Sequence, residues 1–465
     1  MAVQAFSAAR PSPWFRYPVF LLSLLLLLTG CAPLAGRPAR TAPAGLEEPV
    51  REAALPLTGS DRDYDALMEM IGDSRFVLLG DATHGTHEFY RDRARITERL
   101  IREKGFAAVA IEGDWHDAFR VNQYVRGLGR DASAEAALGG FHEFPGWMWA
   151  NTDVRDLVEW LRGYNASRPA AGRAGFYGLD LYGVIPSADA VTQALDRLDP
   201  AAAQGARKRY GCFSRYRSDV PGYGRDAAAH PVRSCERKAV DQLTEVRGLA
   251  ARAKAGTGNA EELFSLVQNA RVVRNGEAYY RLLAASSVSS WNLRDRHMAA
   301  TLDELATHLG SPGRPAKIVV WAHNSHLGDA SGTQRADFGE LNLGQLVRQR
   351  HGQDAVLVGF TTYSGTVAAA SVWGERGQLK QVRPSLPWSF TGMFHEAGIG
   401  DSLLLVRGNP ELAQALAEPR PERAIGVLYH PQEERRSHYL KTRLSQQFDA
   451  VVYFDRTRAV ERLGA

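Results

Sequence analysis

Four apolar runs of this chain end in acidic or histidine side chains, the groups that transfer protons or bind metal ions in enzymes. In chain order these groups are Asp81 and His84 after residues 76–79, Glu112, Asp114 and His116 after residues 107–111, Asp180 and Tyr182 after residues 176–179, and His323 and His326 after residues 318–321. The carboxyl ends of parallel strands meet along one edge of an α/β sheet, so we expect these groups to share one crevice. Such a cluster predicts an enzyme that uses proton transfer or a metal ion.

The segment 80–88 holds the densest set of such groups. Gly80 and Gly85 permit a sharp turn and close backbone approach. His84 lies just before a predicted helix, whose N-terminal N–H groups and dipole favour a neutral imidazole and a nearby anion. Asp81 can orient His84 or a water molecule, so we expect His84 to act as a general base. The alternative is that Asp81 caps the helix and His84 is a surface residue.

Two further features extend the candidate site. Glu112 directly follows Ile111 and should lie deep in the crevice, where a carboxylate needs a partner. Arg93, one turn into the predicted helix, is the candidate partner. His323 and His326 are three residues apart after an apolar run, and we expect them to bind substrate, carry protons or hold a metal ion.

Aromatic side chains surround the same segments. Some belong to the core, and a subset is expected to line a cleft for a bulky, partly apolar ligand. The candidate substrate-binding residues are Trp115, Trp147, Trp149, Asp180, Tyr182 and Tyr363. Polar residues between 277 and 297, Arg294 and Asp295 among them, lie on a predicted helix and are interpreted as a solvated face with ion pairs.

The elements that must position these groups alternate in the first half of the chain. The patterns predict helices over about 61–71 and 88–104, and the strands 76–79 and 107–111 are predicted to form a parallel pair joined by a right-handed crossover. Further strands are predicted over residues 176–179, 318–321, 355–360, 403–406, 424–428 and 451–454, and further helices over 236–254, 259–274 and 276–308. The fold class is therefore α/β, with a central, mostly parallel sheet flanked by helices. Residues of about 187–310 lack strand patterns and predict a helical insertion, or lid subdomain, over the sheet.

The N-terminus is interpreted as a targeting segment. Arg10 and Arg16 precede an apolar run over 19–28, and residues 28–31 (Leu-Thr-Gly-Cys) resemble a bacterial lipobox. This pattern predicts a lipoprotein signal peptide over 1–30 and lipidation of Cys31, with a plain secretory signal as the alternative. Residues 31–54 are expected to be the lipidated cysteine and a flexible tether, and 55–465 the folded domain.

Localisation and charge follow from the same segment. Ala32, rather than aspartate, follows the cysteine, so we expect an anchor in the outer membrane of a bacterial cell envelope, facing the periplasm. Without residues 1–30 the formal charge falls from +4 to +2, and this near-neutral balance argues against a nucleic-acid partner.

An oxidising compartment predicts a disulfide between Cys212 and Cys235, the alternative being two free thiols. Their spacing lacks the close ligand pairs of zinc modules.

Several common catalytic motifs are absent from the sequence. There is no G-x-S-x-G nucleophile elbow, no H-E-x-x-H zinc motif, no Walker A motif and no clear G-x-G-x-x-G after a strand. A serine hydrolase of the usual type is therefore disfavoured.

Long segments of the chain instead resemble the erythromycin esterase family. They are residues 80–89, 144–149, 291–298, 321–326, 359–363 and 448–450, in that order, and the similarity extends over about 55–462. The resemblance implies an α/β core with a helical portion, and metal-independent hydrolysis of esters, notably of a macrolide lactone, with no cofactor.

The resemblance also implies residue roles. The water-activating histidine falls on His84, the arginine on Arg93, the second acid on Glu112, and the later histidine pair on His323 and His326. The first acid falls on Asp81, where the family typically carries glutamate, and the shorter side chain could move the water by about an ångström.

Three hypotheses follow for a small-molecule ligand at this site. The leading one is an ester hydrolase with no metal, which would inactivate an entering macrolide antibiotic or act on an envelope ester. The second is a metal-dependent hydrolase in which Asp81, Glu112, His323 and His326 hold a divalent ion. The third is an envelope binding protein without catalytic activity.

Overall fold

The computed structural model describes residues 47–141, 145–253, 260–311 and 313–464. The predicted signal peptide, Cys31 and most of the predicted tether lie outside these residues. The end of that tether is folded, since helix α1 covers Glu47–Ala53 and strand β1 covers Ala54–Pro56. Val50 of α1 is fully buried. Regular structure in the described residues therefore begins at Glu47, upstream of the domain boundary predicted at residue 55.

The other strands of the described residues are mostly short and apolar. They are β2 (Phe76–Leu79), β3 (Ala108–Asp114), β4 (Gly175–Asp180), β5 (Ile318–Trp321), β6 (Ala355–Ala369), β7 (Gln378–Val382), β8 (Ser402–Leu405), β9 (Arg420–Arg423), β10 (Tyr439–Thr442) and β11 (Ala450–Thr457). Every residue of β2, β3, β4 and β5 is buried. Continuous burial of this kind is typical of parallel strands covered on both faces.

Helices occupy most of the intervening chain. They are α2 (Asp65–Ile71), α3 (His87–Lys104), α4 (Trp115–Val125), α5 (Ala134–Leu138), α6 (Thr152–Ala166), α7 (Val184–Leu198), α8 (Pro200–Tyr210), α9 (Val220–Ala229), α10 (Glu236–Ala253), α11 (Ala260–Leu283), α12 (Ser287–Leu309), α13 (Asn324–Leu327), α14 (Leu343–His351), α15 (Phe390–Glu396), α16 (Pro410–Ala415), α17 (Glu434–Ser437) and α18 (Leu444–Gln447).

Nine of the described strands form one mixed sheet. Its order is β1-β8-β11-β6-β2-β5-β3-β4, with β7 paired to the second half of β6. The strands from β11 to β4 are parallel, whereas β1, β7 and β8 pair antiparallel with their neighbours. The mostly parallel sheet with flanking helices confirms the predicted fold class.

Two strand predictions are wrong in detail. Strands β2 and β3 are parallel but not adjacent, because β5 lies between them and Val319 is in register with both Val77 and Val109. The predicted strand 424–428 is not regular sheet. Its residues only form isolated bridges, such as the one between Ile425 and Thr83, because this segment passes beside the ends of the central strands.

The core has two apolar layers, one on each face of the sheet. Successive side chains of a strand point to opposite faces, so Val77 of β2 packs with α3 and α6 while Leu78 packs with α12 and α14. Helices α7 to α11 share a third cluster. Among the described residues, no helix combines the length and hydropathy that a bilayer-spanning segment requires.

The predicted helical insertion corresponds to α7–α12. The break between the last two helices lies after Leu283 rather than near residue 275. Gly276 does not end α11: it lies inside the helix against the Leu181 carbonyl, which a Cβ there would approach to 2.7 Å. Cys212 and Cys235 are joined by the predicted disulfide within this layer, with Cα atoms 6.0 Å apart. Helix α12 packs directly on the sheet through residues such as Met298.

Candidate active site

A cavity of about 390 Å³ opens where β2, β3, β4 and β5 end. The structure brings groups from all four predicted runs to its wall, which includes His84, Glu112, Asp114, Asp180, Tyr182, His323 and His326. The expectation that strand ends would gather these side chains at one edge is confirmed. His116, by contrast, is not part of this wall.

The loop that carries His84 is held by two glycines. A Cβ at Gly80 would lie 2.1 Å from the amide oxygen of Asn324, and a Cβ at Gly85 would lie 1.9 Å from the carbonyl oxygen of Ala368. The Tyr90 hydroxyl donates to the His84 carbonyl oxygen at 2.8 Å. Close backbone packing on both sides therefore fixes His84 at the cavity wall.

Asp81 and Arg93 lie behind His84 rather than in the cavity wall. Asp81 Oδ1 is 3.4 Å from His84 Nδ1, slightly longer than a hydrogen bond. Asp81 Oδ2 accepts a hydrogen bond from Arg93 Nη1 at 2.8 Å. Both the acid and the arginine are buried, so the pair forms a rigid backing for the imidazole.

Arg93 is enclosed by aromatic rings. Its guanidinium carbon lies 4.4 Å from the Tyr90 ring centroid and 4.7 Å from that of Trp321. Asp81 Oδ1, His84 Nδ1, Arg93 Nε and Arg93 Nη2 have no hydrogen-bond partner among the described residues. The groups behind His84 can therefore form more hydrogen bonds than Asp81 alone makes.

His323 faces His84 across the cavity wall. Their ring centroids are 4.9 Å apart. His323 Nδ1 accepts a hydrogen bond from the Ser325 backbone N–H at 3.1 Å, so a neutral ring carries its proton on Nε2. Burial, together with the nearby His84, lowers the pKa of His323 to about 4. His323 is therefore a neutral donor at physiological pH.

Glu112 connects three parts of the site. Its Oε2 accepts from the His323 backbone N–H at 2.8 Å, and its Oε1 accepts from Arg294 Nη2 at 2.7 Å. The predicted partner, Arg93, is wrong, since Arg93 binds Asp81 instead. Burial alone would raise the pKa of Glu112, but His326 and Arg294 outweigh it and hold the pKa well below its usual range.

His326 lies between two carboxylates. Its Nδ1 is 2.9 Å from Asp295 Oδ1, its Nε2 is 3.2 Å from Glu112 Oε1, and its ring stacks on Trp291 at 4.3 Å. Burial opposes its charge, but these acids raise the pKa of His326 to about 9. The 2.9 Å contact of Arg294 Nη1 with His326 Nε2 suits a neutral ring. More carboxylates than guanidinium groups surround the ring, and for this reason we assign His326 as a protonated imidazolium. The two cations, His326 and Arg294, then both donate hydrogen bonds to Glu112.

Arg294 was the main functional residue that the sequence prediction missed. It is buried, and it donates to Asp180 Oδ1 through Nε at 2.9 Å as well as to Glu112. The interpretation of residues 277–297 as a solvated face is therefore wrong here. A signal was available: Arg294 and Asp295 precede Met298 and Leu302 by helical spacing, which places them on the apolar stripe of α12.

The predicted substrate-binding residues divide into two groups. Trp149, Asp180 and Tyr182 line the cavity. Trp149 Nε1 donates to the Glu112 carbonyl oxygen at 3.1 Å, and the Arg294 guanidinium lies 4.7 Å from the Tyr182 ring centroid. Asp180 is the partner of that arginine, so its first role is to hold the site together.

The other three predicted substrate-binding residues do not line the cavity. Trp115 is buried in the core, where it stacks on Tyr177. Tyr363 stacks on His395 with centroids 3.7 Å apart. Trp147 is buried in the core, with its ring against Gly377. Periodicity and composition do not distinguish an aromatic residue that lines a cleft from one that supports it.

The donor set does not form an obvious metal site. Within the residues that the structure describes, no three histidine, cysteine or acidic side chains are grouped so as to hold a metal ion. Glu112, a predicted ligand, already contacts the cationic Arg294 guanidinium at 2.7 Å, and that positive charge opposes a second cation.

Comparisons with known proteins give one consistent family. A family model described as erythromycin esterase matches residues 101–457. An Escherichia coli protein named erythromycin esterase type II is 24% identical over 447 residues, covering 89% of this chain and 98% of that protein. A Bacillus subtilis (strain 168) protein, the candidate hydrolase YbfO, is 20% identical over 413 residues, covering 85% of this chain and 86% of that protein.

Solved structures share the fold. A succinoglycan biosynthesis protein superposes with a TM-score of 0.71 at 20% identity, covering 90% of this chain and 97% of the other. A mutant of the erythromycin esterase EreC, in an open conformation, superposes with a TM-score of 0.63 at 16% identity, covering 89% and 96%. At these identities the structural likeness supports the fold alone.

Proposed function

The chain belongs to the erythromycin esterase family, and on that premise we propose that it hydrolyses carboxylic esters with a water molecule activated by His84. Membership of the family, and likeness to the two relatives, indicate a hydrolase. The observation that carries the finer proposal is the pairing of His84 with the buried Asp81–Arg93 couple beneath a cavity wall that also presents a second, neutral histidine.

His84 is suited to the role of general base. Its Nδ1 faces Asp81 at 3.4 Å, which leaves Nε2 to take a proton from water. The hydroxide attacks the ester carbonyl carbon, and the negative charge of Asp81 stabilises the imidazolium that forms. Asp81 in turn is fixed by Arg93. A positioned base of this kind contributes about 10²–10⁴-fold to the rate.

His323 is suited to stabilise the oxyanion. Its neutral ring carries the proton on Nε2, and that atom is buried without a hydrogen-bond partner among the described residues. A donor that is already oriented towards developing charge needs no reorganisation during the reaction, and removing one costs about 10²–10³-fold in kcat. The Ser325 backbone N–H and the Glu112 carboxylate hold this segment in place.

The proton returns when the tetrahedral intermediate collapses. The bond from carbon to the alcohol oxygen breaks, and the His84 imidazolium donates its proton to the departing alkoxide. Water has then been added across the ester to give a carboxylic acid and an alcohol. Glu112, Arg294 and His326 are positioning residues in this scheme, because their hydrogen bonds are satisfied by one another.

The test is hydrolysis by the purified chain. We expect His84→Asn to lower kcat for p-nitrophenyl acetate at least a hundredfold while circular dichroism and the unfolding temperature stay close to those of the wild type. The matched control is His395→Asn, which should keep the wild-type kcat, because His395 is a partly exposed histidine outside the cavity wall. Full activity of the His84 variant would rule out the mechanism.

The lactone of a macrolide is the more specific candidate substrate. Incubation with erythromycin and mass spectrometry would show a gain of one water if the lactone is opened. If neither macrolides nor simple esters are hydrolysed while a ligand binds tightly, the chain is a binding protein instead.

The metal-dependent alternative is tested separately. We propose that activity survives exhaustive treatment with EDTA, since the cluster balances its carboxylates with Arg93 and Arg294. The metal-dependent mechanism would replace the proposed one if elemental analysis found one tightly bound metal per chain. Activity should then be lost on chelation and restored by that metal.

We also propose that Cys31 carries a lipid anchor in a bacterial envelope. Mass spectrometry of the N-terminal peptide from cells expressing the chain would show diacylglyceryl and acyl groups on Cys31. A Cys31→Ser variant should then leave the membrane fraction.

A further inference from the structure

A loop beside the cavity mouth presents large apolar side chains to solvent. It covers residues 371–376, between β6 and β7. Val372 is 57% exposed and Trp373 is 48% exposed, although Trp373 also lines the cavity. Exposed apolar groups that border a concave site are typical of a ligand-contacting surface.

Both ends of this loop are held in place. Before it, the Ala370 N–H donates to Val427 at 2.9 Å and the Tyr429 N–H donates to Ala370 at 3.0 Å. After it, Gly377 lies against the Trp147 ring, where a Cβ would come within 2.9 Å. The loop therefore projects from a fixed base, and Trp373 is positioned before any ligand arrives.

Trp373 is connected to the charged cluster of Glu112, Asp180 and Arg294 through one side chain. Its ring centroid is 6.4 Å from that of Tyr182, in an edge-to-face arrangement. The Tyr182 ring in turn lies 4.7 Å from the Arg294 guanidinium. Leu428 also lines the cavity, and it pairs with Ala370 at the base of the loop. An apolar surface thus leads from the charged cluster to the cavity mouth.

We propose that Trp373, Tyr182 and Leu428 form a subsite for the apolar, non-reacting part of the substrate. This inference rests on the proposed function and deepens it, because it names the substrate class: esters with a bulky apolar substituent in preference to small esters. Binding of that substituent covers the exposed Trp373 ring, and the released water provides the selectivity.

The experiment compares two esters and one ketone with the full-length chain in lipid nanodiscs, with empty nanodiscs as the blank. The esters are p-nitrophenyl acetate and p-nitrophenyl 3-phenylpropionate, and the unreactive ketone is 4-phenyl-2-butanone. We expect Trp373→Ala to lower kcat/KM for the phenylpropionate about tenfold, mainly through KM, and for the acetate less than twofold. Trp373→Phe should retain most of the preference.

Trp388→Ala is the matched control, since Trp388 is 42% exposed but lies outside the cavity wall. It should leave both esters unchanged. Equal losses with the two esters, or none, would overturn the subsite. Calorimetry with the ketone tests binding without hydrolysis. If Trp373→Ala raises the dissociation constant of the ketone about tenfold, the subsite is supported even when no ester is hydrolysed. An unchanged dissociation constant, or no binding of the ketone by the wild type, overturns the subsite.

Discussion

Replacing Asp81 by glutamate tests how closely the acid must approach the base. The gap between Asp81 Oδ1 and His84 Nδ1 is 3.4 Å, about half an ångström longer than a charge-assisted hydrogen bond. One extra methylene extends the side chain by about 1.5 Å, which is enough to close that gap. Arg93 Nε and Nη2 have no hydrogen-bond partner among the described residues, so donors are available for the longer carboxylate.

The expected magnitude follows from that distance. A displacement of about 1 Å at a catalytic group can lower the rate about a hundredfold. Closing a gap of about half an ångström should therefore raise the rate about tenfold. This corresponds to about 1.4 kcal/mol of activation free energy. The gain should appear in kcat rather than KM, because in the proposed mechanism the acid stabilises an imidazolium that forms only during the reaction.

The assay is steady-state hydrolysis of p-nitrophenyl acetate by Asp81→Glu, with thermal unfolding to detect overpacking, which costs about 1–3 kcal/mol in a full core. Asp81→Asn is the matched control. It keeps the shape but removes the charge, so it should lose activity. A folded Asp81→Glu variant with unchanged or lower kcat would refute the argument that the gap limits the rate.

Three further outcomes are expected. Arg294→Met leaves two buried carboxylates without their cation and should lower the free energy of unfolding by about 3–5 kcal/mol in urea titrations, whereas an effect under 1 kcal/mol would contradict the assigned charges. The raised pKa of His326, about 9, stabilises the fold below about pH 6.5, and that stability is lost as pH rises through 9. Thermal scans should show this loss in the wild type and not in His326→Gln. Replacing both disulfide cysteines by serine should cost about 3 kcal/mol of stability without changing kcat, since neither cysteine lines the cavity.

Local sequence patterns predicted the strands that carry the site well. The bounds of β2 and β5 match the apolar runs 76–79 and 318–321, because short runs of buried residues are conspicuous against polar loops. The neighbours of each strand were not predictable in the same way. Strand β5 inserts between β2 and β3 after more than two hundred intervening residues, and nothing in a local pattern encodes such a long-range pairing.

Site prediction failed for a related reason. The candidate residues at strand ends were identified because the geometry of parallel sheets gathers them without further information. The partner of Glu112 depended on which helix covers the sheet edge, and that helix is α12 rather than α3. Arg294 is an ordinary charged residue in a helix until its burial is known.

The position of Arg294 changes how the helical insertion should be understood. A lid could be removed or moved without altering the charges at the strand ends. Here the only guanidinium among the described residues that contacts both Glu112 and Asp180 comes from α12 of the insertion. Two buried carboxylates without that cation would have to take up protons or unfold the site. The insertion is therefore part of the charge balance on which the proposed hydrolytic site depends, and substrate contacts that shift α12 would act directly on the histidines.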